Sequence, residues 1–206
     1  MKYIEKLPEP IKFADWKKLH PGANYNDHLS RASSVKNALK NTLLQEQKYI
    51  CCDCECRIDT DHSHIEHFRP KGHPEFAGLQ LDYANLHASC TKLPTGSAEE
   101  HCGHKKGDVF SEELISPLER DCSSHFTYGM DGRIHGADER GKMTIPILRL
   151  DSELLNSQRK ALIDSFLDIE DEEVLMEEIS AHLDMNKPKL GEFCSMIDYL
   201  HHTHQL

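Results

Sequence analysis

Between Leu29 and Leu44 apolar residues recur at helical intervals: Leu29, Val35, Leu39, Leu43 and Leu44 line one face of a 3.6-residue repeat. The pattern predicts a helix reaching about Gln47, with Asn26 or Asp27 as its N-cap. Upstream, residues 1–26 contain Pro8, Pro10, Pro21 and Gly22, which predicts an irregular arm anchored on the core by Phe13 and Trp16. Beyond Gln47 the periodicity gives out. His64 to Phe68 predicts a short strand ended by Pro70, Leu79 to Tyr83 fits neither period, and Asn85 to Ser89 predicts a loop running to Cys90. Residues 91–101, with Pro94, Gly96 and two acids, predict a loop insertion, followed by a short helix past His101. His125–Tyr128 and Arg133–His135 flank Gly129-Met130-Asp131-Gly132, a hairpin signal with a packing role. Helical patterns return over 144–168 and 171–185, with Asp151 and Asp168 as caps, and Pro188 opens a last helix to about His201. The terminal HHTHQL predicts a frayed polar end.

These elements predict a mainly helical α+β chain in one compact unit. Residues 1–47 form an arm and helix, 48–110 a punctuated core, and 111–206 a hairpin with helices that pack on it. There is no apolar run of the ~18–20 residues that a membrane helix needs, and the first residues show no secretory h-region. A soluble cytoplasmic protein is expected. The net charge of −11 argues against a nucleic-acid binder until it is divided along the chain. Residues 1–47 hold eight Lys/Arg against five Asp/Glu, whereas residues 151–206 hold four against thirteen. The acidity belongs to the C-terminal helices, which are either a solvated face or a surface for a basic partner.

Cysteine spacing changes the picture of the middle segment. Cys51, Cys52, Cys54 and Cys56 lie within six residues, too close for four ordinary disulfide partners. Cys51-x2-Cys54 has the spacing of a metal knuckle, and Cys90 and Cys102 would complete a tetrahedral structural zinc site. Cys52 or Cys56 could replace a neighbour in that register. Cys122 and Cys194 are expected to be buried apolar residues.

Between the two cysteine pairs lies Ile65-Glu66-His67-Phe68-Arg69-Pro70-Lys71. Adjacent residues on a strand point to opposite sides, so Glu66 could hold a metal while His67 faces a nucleophilic water. Asn85 is placed to hydrogen-bond backbone near His67 and fix the imidazole, and His104 could complete a divalent-cation site with Glu66. His62, His73 and His87 are expected to be incidental surface residues.

The order of CCDC, IEHFRPK, ANLHASC and HCGHKKGD resembles an HNH endonuclease of the ββα-metal class in its cysteine-containing form. Within that class it is most similar to the PtuB-like HNH subunit of retron and Septu anti-phage systems. The resemblance implies a ββα-metal core with structural zinc, flanked by the N-terminal helix and the C-terminal helices. It implies His67 as general base, Glu66 as acidic ligand of Mg²⁺ or Mn²⁺, and Asn85 as the residue orienting the base. His104, with His101 as alternative, would be the remaining ligand, because the position directly after the last cysteine is Gly103 instead of His or Asn. Arg69, Lys71 and Lys106 would contact phosphates. The implied substrate is phage or host DNA, or a host RNA such as tRNA. The implied partners are a PtuA-like ABC/SMC-type ATPase and, in a retron, a reverse transcriptase with its RNA–DNA product. The competing expectation is a non-catalytic, zinc-stabilised adaptor module.

Overall fold

The chain is described by a computed structural model over residues 1–91 and 100–206. Residues 92–99, within the expected loop insertion, lie outside the described residues. In chain order the elements are α1 (Ile11–Leu19), α2 (Ser33–Glu46), β1 (Ser63–His67), β2 (Leu86–Cys90), α3 (Cys102–Lys106), β3 (Phe126–Tyr128), β4 (Ile134–Gly136), α4 (Glu139–Leu148), α5 (Glu153–Leu167), α6 (Glu172–Leu183) and α7 (Cys194–His202). The class is mixed helix and sheet, with two separate two-stranded antiparallel sheets among the described residues, β1–β2 and β3–β4.

The arm expected at the N-terminus is instead helical over α1. Pro10 stands at the N-cap, its fixed φ suits a helix start, and Phe13 is fully buried below. Helix α2 begins at Ser33, later than either expected cap, because Leu29 lies in a separate 3₁₀ turn. All five apolar residues of the repeat are nonetheless buried. The loop expected at Asn85 to Ser89 is a strand from Leu86. Leu86, His87, Ala88 and Ser89 are all buried, so no polar alternation marks it in the sequence.

Strand β2 is held on both edges. Its register with β1 pairs Glu66 with His87 and His67 with Leu86. On the other edge the Gln47 side chain accepts from Ala88 N–H and donates to Ala88 C=O, both at 2.7 Å, replacing a neighbouring strand. Helix α2 therefore delivers the cysteine-rich turn directly beside β2, where Cys52 N–H also donates to Ala88 C=O.

The expected helix over 144–168 is broken. Arg149 adopts a left-handed φ of 51° and ends α4, and the Ser152 side chain, not Asp151, caps α5 by accepting from Leu155 N–H. Asp171, not Asp168, caps α6. The last helix starts at Cys194, beyond Pro188, after Phe193 at φ 49°. Cys122 and Cys194 are buried. Glu55, inside the cysteine turn, joins both ends of the chain to it: it pairs with the Met1 ammonium at 2.6 Å and accepts from Ser195 N–H at 2.8 Å. No helix among the described residues is long and apolar enough to cross a membrane.

Candidate active site and metal centre

Strands β1 and β2 and helix α3 follow in the order ββα, and two clusters of potential ligands are built on them. The Sγ atoms of Cys51, Cys54, Cys90 and Cys102 all lie within 4.8 Å of one another. Cys51 is 3.8 Å from Cys102, and Cys54 is 3.4 Å from Cys90. Four thiolates held ~2.3 Å from one ion span tetrahedral edges of roughly 3.8 Å, so the cluster has the dimensions of a single metal site. Cys56 lies beside the quartet, its thiol interacting with those of Cys54 and Cys90 and with the Gln158 side chain, and Cys52 groups with Cys51 and Asp53.

Local backbone bonds form this cluster. Cys51 N–H donates to Cys56 C=O and Glu55 N–H to Cys51 C=O, closing a tight turn with Glu55 at φ 66°. Cys90 is the last residue of β2 and Cys102 the first of α3, so the cluster fixes where α3 starts relative to the sheet. Cys102 takes a left-handed φ of 59°, a conformation that a residue with a side chain keeps only where its surroundings enforce it.

The second cluster lines a cleft of about 210 Å³ formed by His64, Glu66, His67, Lys71, His104 and Asp108, among others. His67 is buried at the end of β1, with its ring edge-on to Tyr25. Its Nε2 lies 3.1 Å from the Gln80 carbonyl, which can only accept, so Nε2 carries the hydrogen and Nδ1 the lone pair. Burial, then the charge of Lys71, pushes the His67 pKa down to about 4. The ring is therefore neutral across physiological pH, with its lone pair at Nδ1.

Asn85 precedes β2 and is buried. Its amide donates to Arg69 C=O at 3.0 Å and Leu79 C=O at 3.1 Å, and accepts from Arg69 N–H at 2.7 Å. It thus clamps both ends of the loop whose next residue, Gln80, holds His67. The hydrogen bonds to backbone near His67 expected from sequence are present.

Glu66 reaches the same cleft. Its carboxylate meets Lys106 at 2.7 Å and His64 Nε2 at 3.1 Å. Burial opposes its charge, but His64 and Lys106 outweigh burial and hold the carboxyl below its ordinary range. A Cβ on Gly103 would lie 2.2 Å from Glu66 Oε2, so the glycine after the last cysteine makes room for this carboxylate. His104 lines the cleft, whereas His101 turns to the cysteine cluster, with Nδ1 3.1 Å from Cys102 Sγ.

Sequence reasoning missed His64 and Asp108. His64 Nδ1 faces the Cys90 carbonyl at 2.7 Å, which leaves the Nε2 lone pair directed at a carboxylate oxygen. In a neutral ring two acceptors face each other there, and a cation beside them fits the donor set. The ring of His104 packs 4.1 Å from that of His64. The signal was the period of two along β1, which puts His64 on the face of Glu66. Among the described residues, Glu66, His64 and His104 do not gather all their ligand atoms within 4.8 Å of one another.

The three basic residues take different positions. Arg69 is exposed, its guanidinium 5.7 Å from the Phe76 ring and 5.9 Å from that of Phe110. Lys71 lines the cleft above Tyr25. Lys106, expected on phosphate, is buried and spends its three hydrogens on Glu66, His67 C=O and Phe68 C=O. His62 is exposed and His73 packs on Phe76, but His87, expected at the surface, is buried opposite Glu66.

Comparison with curated proteins finds relatives of one kind. "Retron Vc95 putative HNH endonuclease" of Vibrio cholerae serotype O1 biovar El Tor is 29% identical over 141 residues, 65% of this chain and 67% of that protein. "Septu protein PtuB" of Bacillus thuringiensis is 32% identical over 133 residues, 60% of this chain and 46% of that protein. The chain is similar to retron proteins named as putative HNH endonucleases and to a Septu protein. "Retron Ec83 putative HNH endonuclease" of Escherichia coli, 27% identical over 154 residues, is covered over 54% of its length. The matches thus span from about half to two thirds of these relatives. No family model matches the chain.

Proposed function

We propose that the chain is a metal-dependent HNH endonuclease that hydrolyses nucleic-acid phosphodiester bonds as the effector of a bacterial anti-phage defence system. The observation that carries this reading is the His67 arrangement: a buried neutral imidazole whose Nε2 is held by Gln80 C=O. Asn85 clamps the loop behind it, and a carboxylate from the adjacent residue enters the same cleft. A base oriented through one nitrogen and open at the other is what proton abstraction from water requires.

Glu66 and His104, with His64 and Asp108 beside them, would hold the Mg²⁺ or Mn²⁺. Bound there, the ion would stabilise charge on the phosphoryl oxygens and on the departing 3′-oxygen. His67 Nδ1 takes the proton of the attacking water. Lys71 and Arg69 hold backbone phosphates, and Lys106 positions Glu66 and the end of β1. Cys51, Cys54, Cys90 and Cys102 hold a structural zinc, since a closed four-thiolate site leaves no position for substrate. The names of the relatives support a setting in a retron or Septu system, and the cytoplasm is the compartment proposed for it. A PtuA-like ATPase would control the nuclease there, and a retron would add a reverse transcriptase with its RNA–DNA product. The acidic C-terminal helices are the surface assigned to that ATPase.

The adaptor reading has one observation in its favour: Lys106 already neutralises Glu66 at 2.7 Å. Expression with the neighbouring genes, wild type beside His67→Ala, followed by phage infection and mapping of new DNA and RNA ends, separates the two. Ends that depend on His67 support the nuclease. Identical end profiles from two soluble, zinc-loaded proteins favour the adaptor.

A further inference from the structure

We infer a third divalent-cation site, outside both the cleft and the cysteine cluster, formed by His125, Asp121 and Glu119. A ring nitrogen of His125 and carboxylate oxygens of Glu119 and Asp121 lie within 4.8 Å of one another. His125 is nine-tenths buried, and its Nδ1 is 2.5 Å from Asp138 Oδ2. A carboxylate only accepts, so in the neutral ring Nδ1 carries the hydrogen and the lone pair is on Nε2. That Nε2 is buried without a hydrogen-bond partner among the described residues. The other members of the cluster are two carboxylates, which offer lone pairs and no hydrogen. A cation satisfies all three groups at once.

The surroundings fit a metal ligand set. Asp138 behind His125 fixes tautomer and ring orientation, as outer carboxylates do for metal-bound histidines. Glu119 accepts from Arg140 on both oxygens, at 2.7 and 2.9 Å, and from Ser116 N–H at 2.9 Å. A carboxylate has about four lone-pair sites, so one on Oε2 remains. Asp121 is exposed and supplies uncommitted charge. One imidazole with two carboxylates suits a first-row divalent ion such as Mn²⁺ or Zn²⁺ better than Mg²⁺ or Ca²⁺.

Its place in the fold gives the site a task. Asp138 caps α4 by accepting from Gly141 N–H at 2.8 Å, and Arg140 belongs to the first turn of α4. The ion would fasten segment 116–125 to the start of α4, the helix that packs against α3.

The test uses the full chain with zinc in its cysteine cluster, which Mn²⁺ does not displace from thiolates. Bound Mn²⁺ is counted by equilibrium dialysis and electron paramagnetic resonance in wild type, Asp121→Ala and His125→Ala. Wild type should bind one more equivalent than either variant, or bind it at least tenfold more tightly. Mn²⁺ should also raise the melting temperature of wild type more than that of Asp121→Ala. Asp121 is exposed, so its variant folds even where His125→Ala does not. Equal counts and equal affinities in wild type and Asp121→Ala would overturn the site, whatever the outcome at the cleft.

Discussion

The cysteine cluster and the cleft share β1, β2 and α3 but are built in opposite ways. In the cluster, four thiols converge at tetrahedral spacing, three of them buried and Cys90 half-buried. In the cleft, His64, Glu66, His104 and Asp108 stand round an open volume, and Lys106 balances Glu66. The first site suits an ion that holds the chain together. The second is held by the protein itself, through Asn85 and Lys106, and keeps room for substrate. A metal can therefore be structural in one cluster and exchangeable in the other, only a few residues away along the chain.

Removing one corner of the closed site should have the largest effect. Cys54→Ala should lose the bound metal and cooperative unfolding together, because a structural zinc contributes on the order of 10 kcal/mol to folding. Metal analysis with circular dichroism checks this, and a stable variant with unchanged metal content would erase the contrast. Asn85→Ala removes three hydrogen bonds behind the base but touches no thiol. Its kcat should fall about 10–100-fold and stability by about 1–3 kcal/mol, with the zinc retained. A lower melting temperature at unchanged kcat would reduce Asn85 to a packing residue.

Gly103→Ala probes the open site alone. Its methyl would displace the Glu66 carboxylate, so Mg²⁺ affinity measured by activity titration should drop about tenfold, equivalent to ~1.4 kcal/mol. Unchanged affinity would separate Glu66 from the ion. The smallest effect belongs to Lys71→Ala. Binding of nucleic acid should weaken modestly, and the slope of log affinity against log salt should fall by about 1. An unchanged slope would remove Lys71 from the phosphate track.

The two sites also differed in how they could be read from sequence. The thiol quartet was legible because the Cys51-x2-Cys54 spacing and the later Cys90 and Cys102 are chemical signals that do not depend on fold. The bonding of Asn85 to backbone near His67 was legible through order and type. His64 and the burial of Lys106 were not, because both depend on which face of β1 meets α3. The β2 strand was read as a loop since both its faces are buried and no alternation marks it. The break between α4 and α5 escaped notice because Arg149 adopts its left-handed turn without a glycine.

The most direct measurement is metal-dependent cleavage of nucleic acid by the wild type and by His67→Ala, made with the partner genes present and with zinc content and melting temperature recorded. Wild type should cleave with Mg²⁺ or Mn²⁺, and the variant should lose at least about 100-fold in rate while keeping its zinc and its fold. Because the His67 pKa lies near 4, the wild-type rate should not decline through imidazole protonation between pH 8 and pH 6, and a bound cation would lower that pKa further. Equal cleavage by a folded, zinc-loaded His67→Ala protein would contradict the assignment of the base and, with it, the reading of the cleft as an active site.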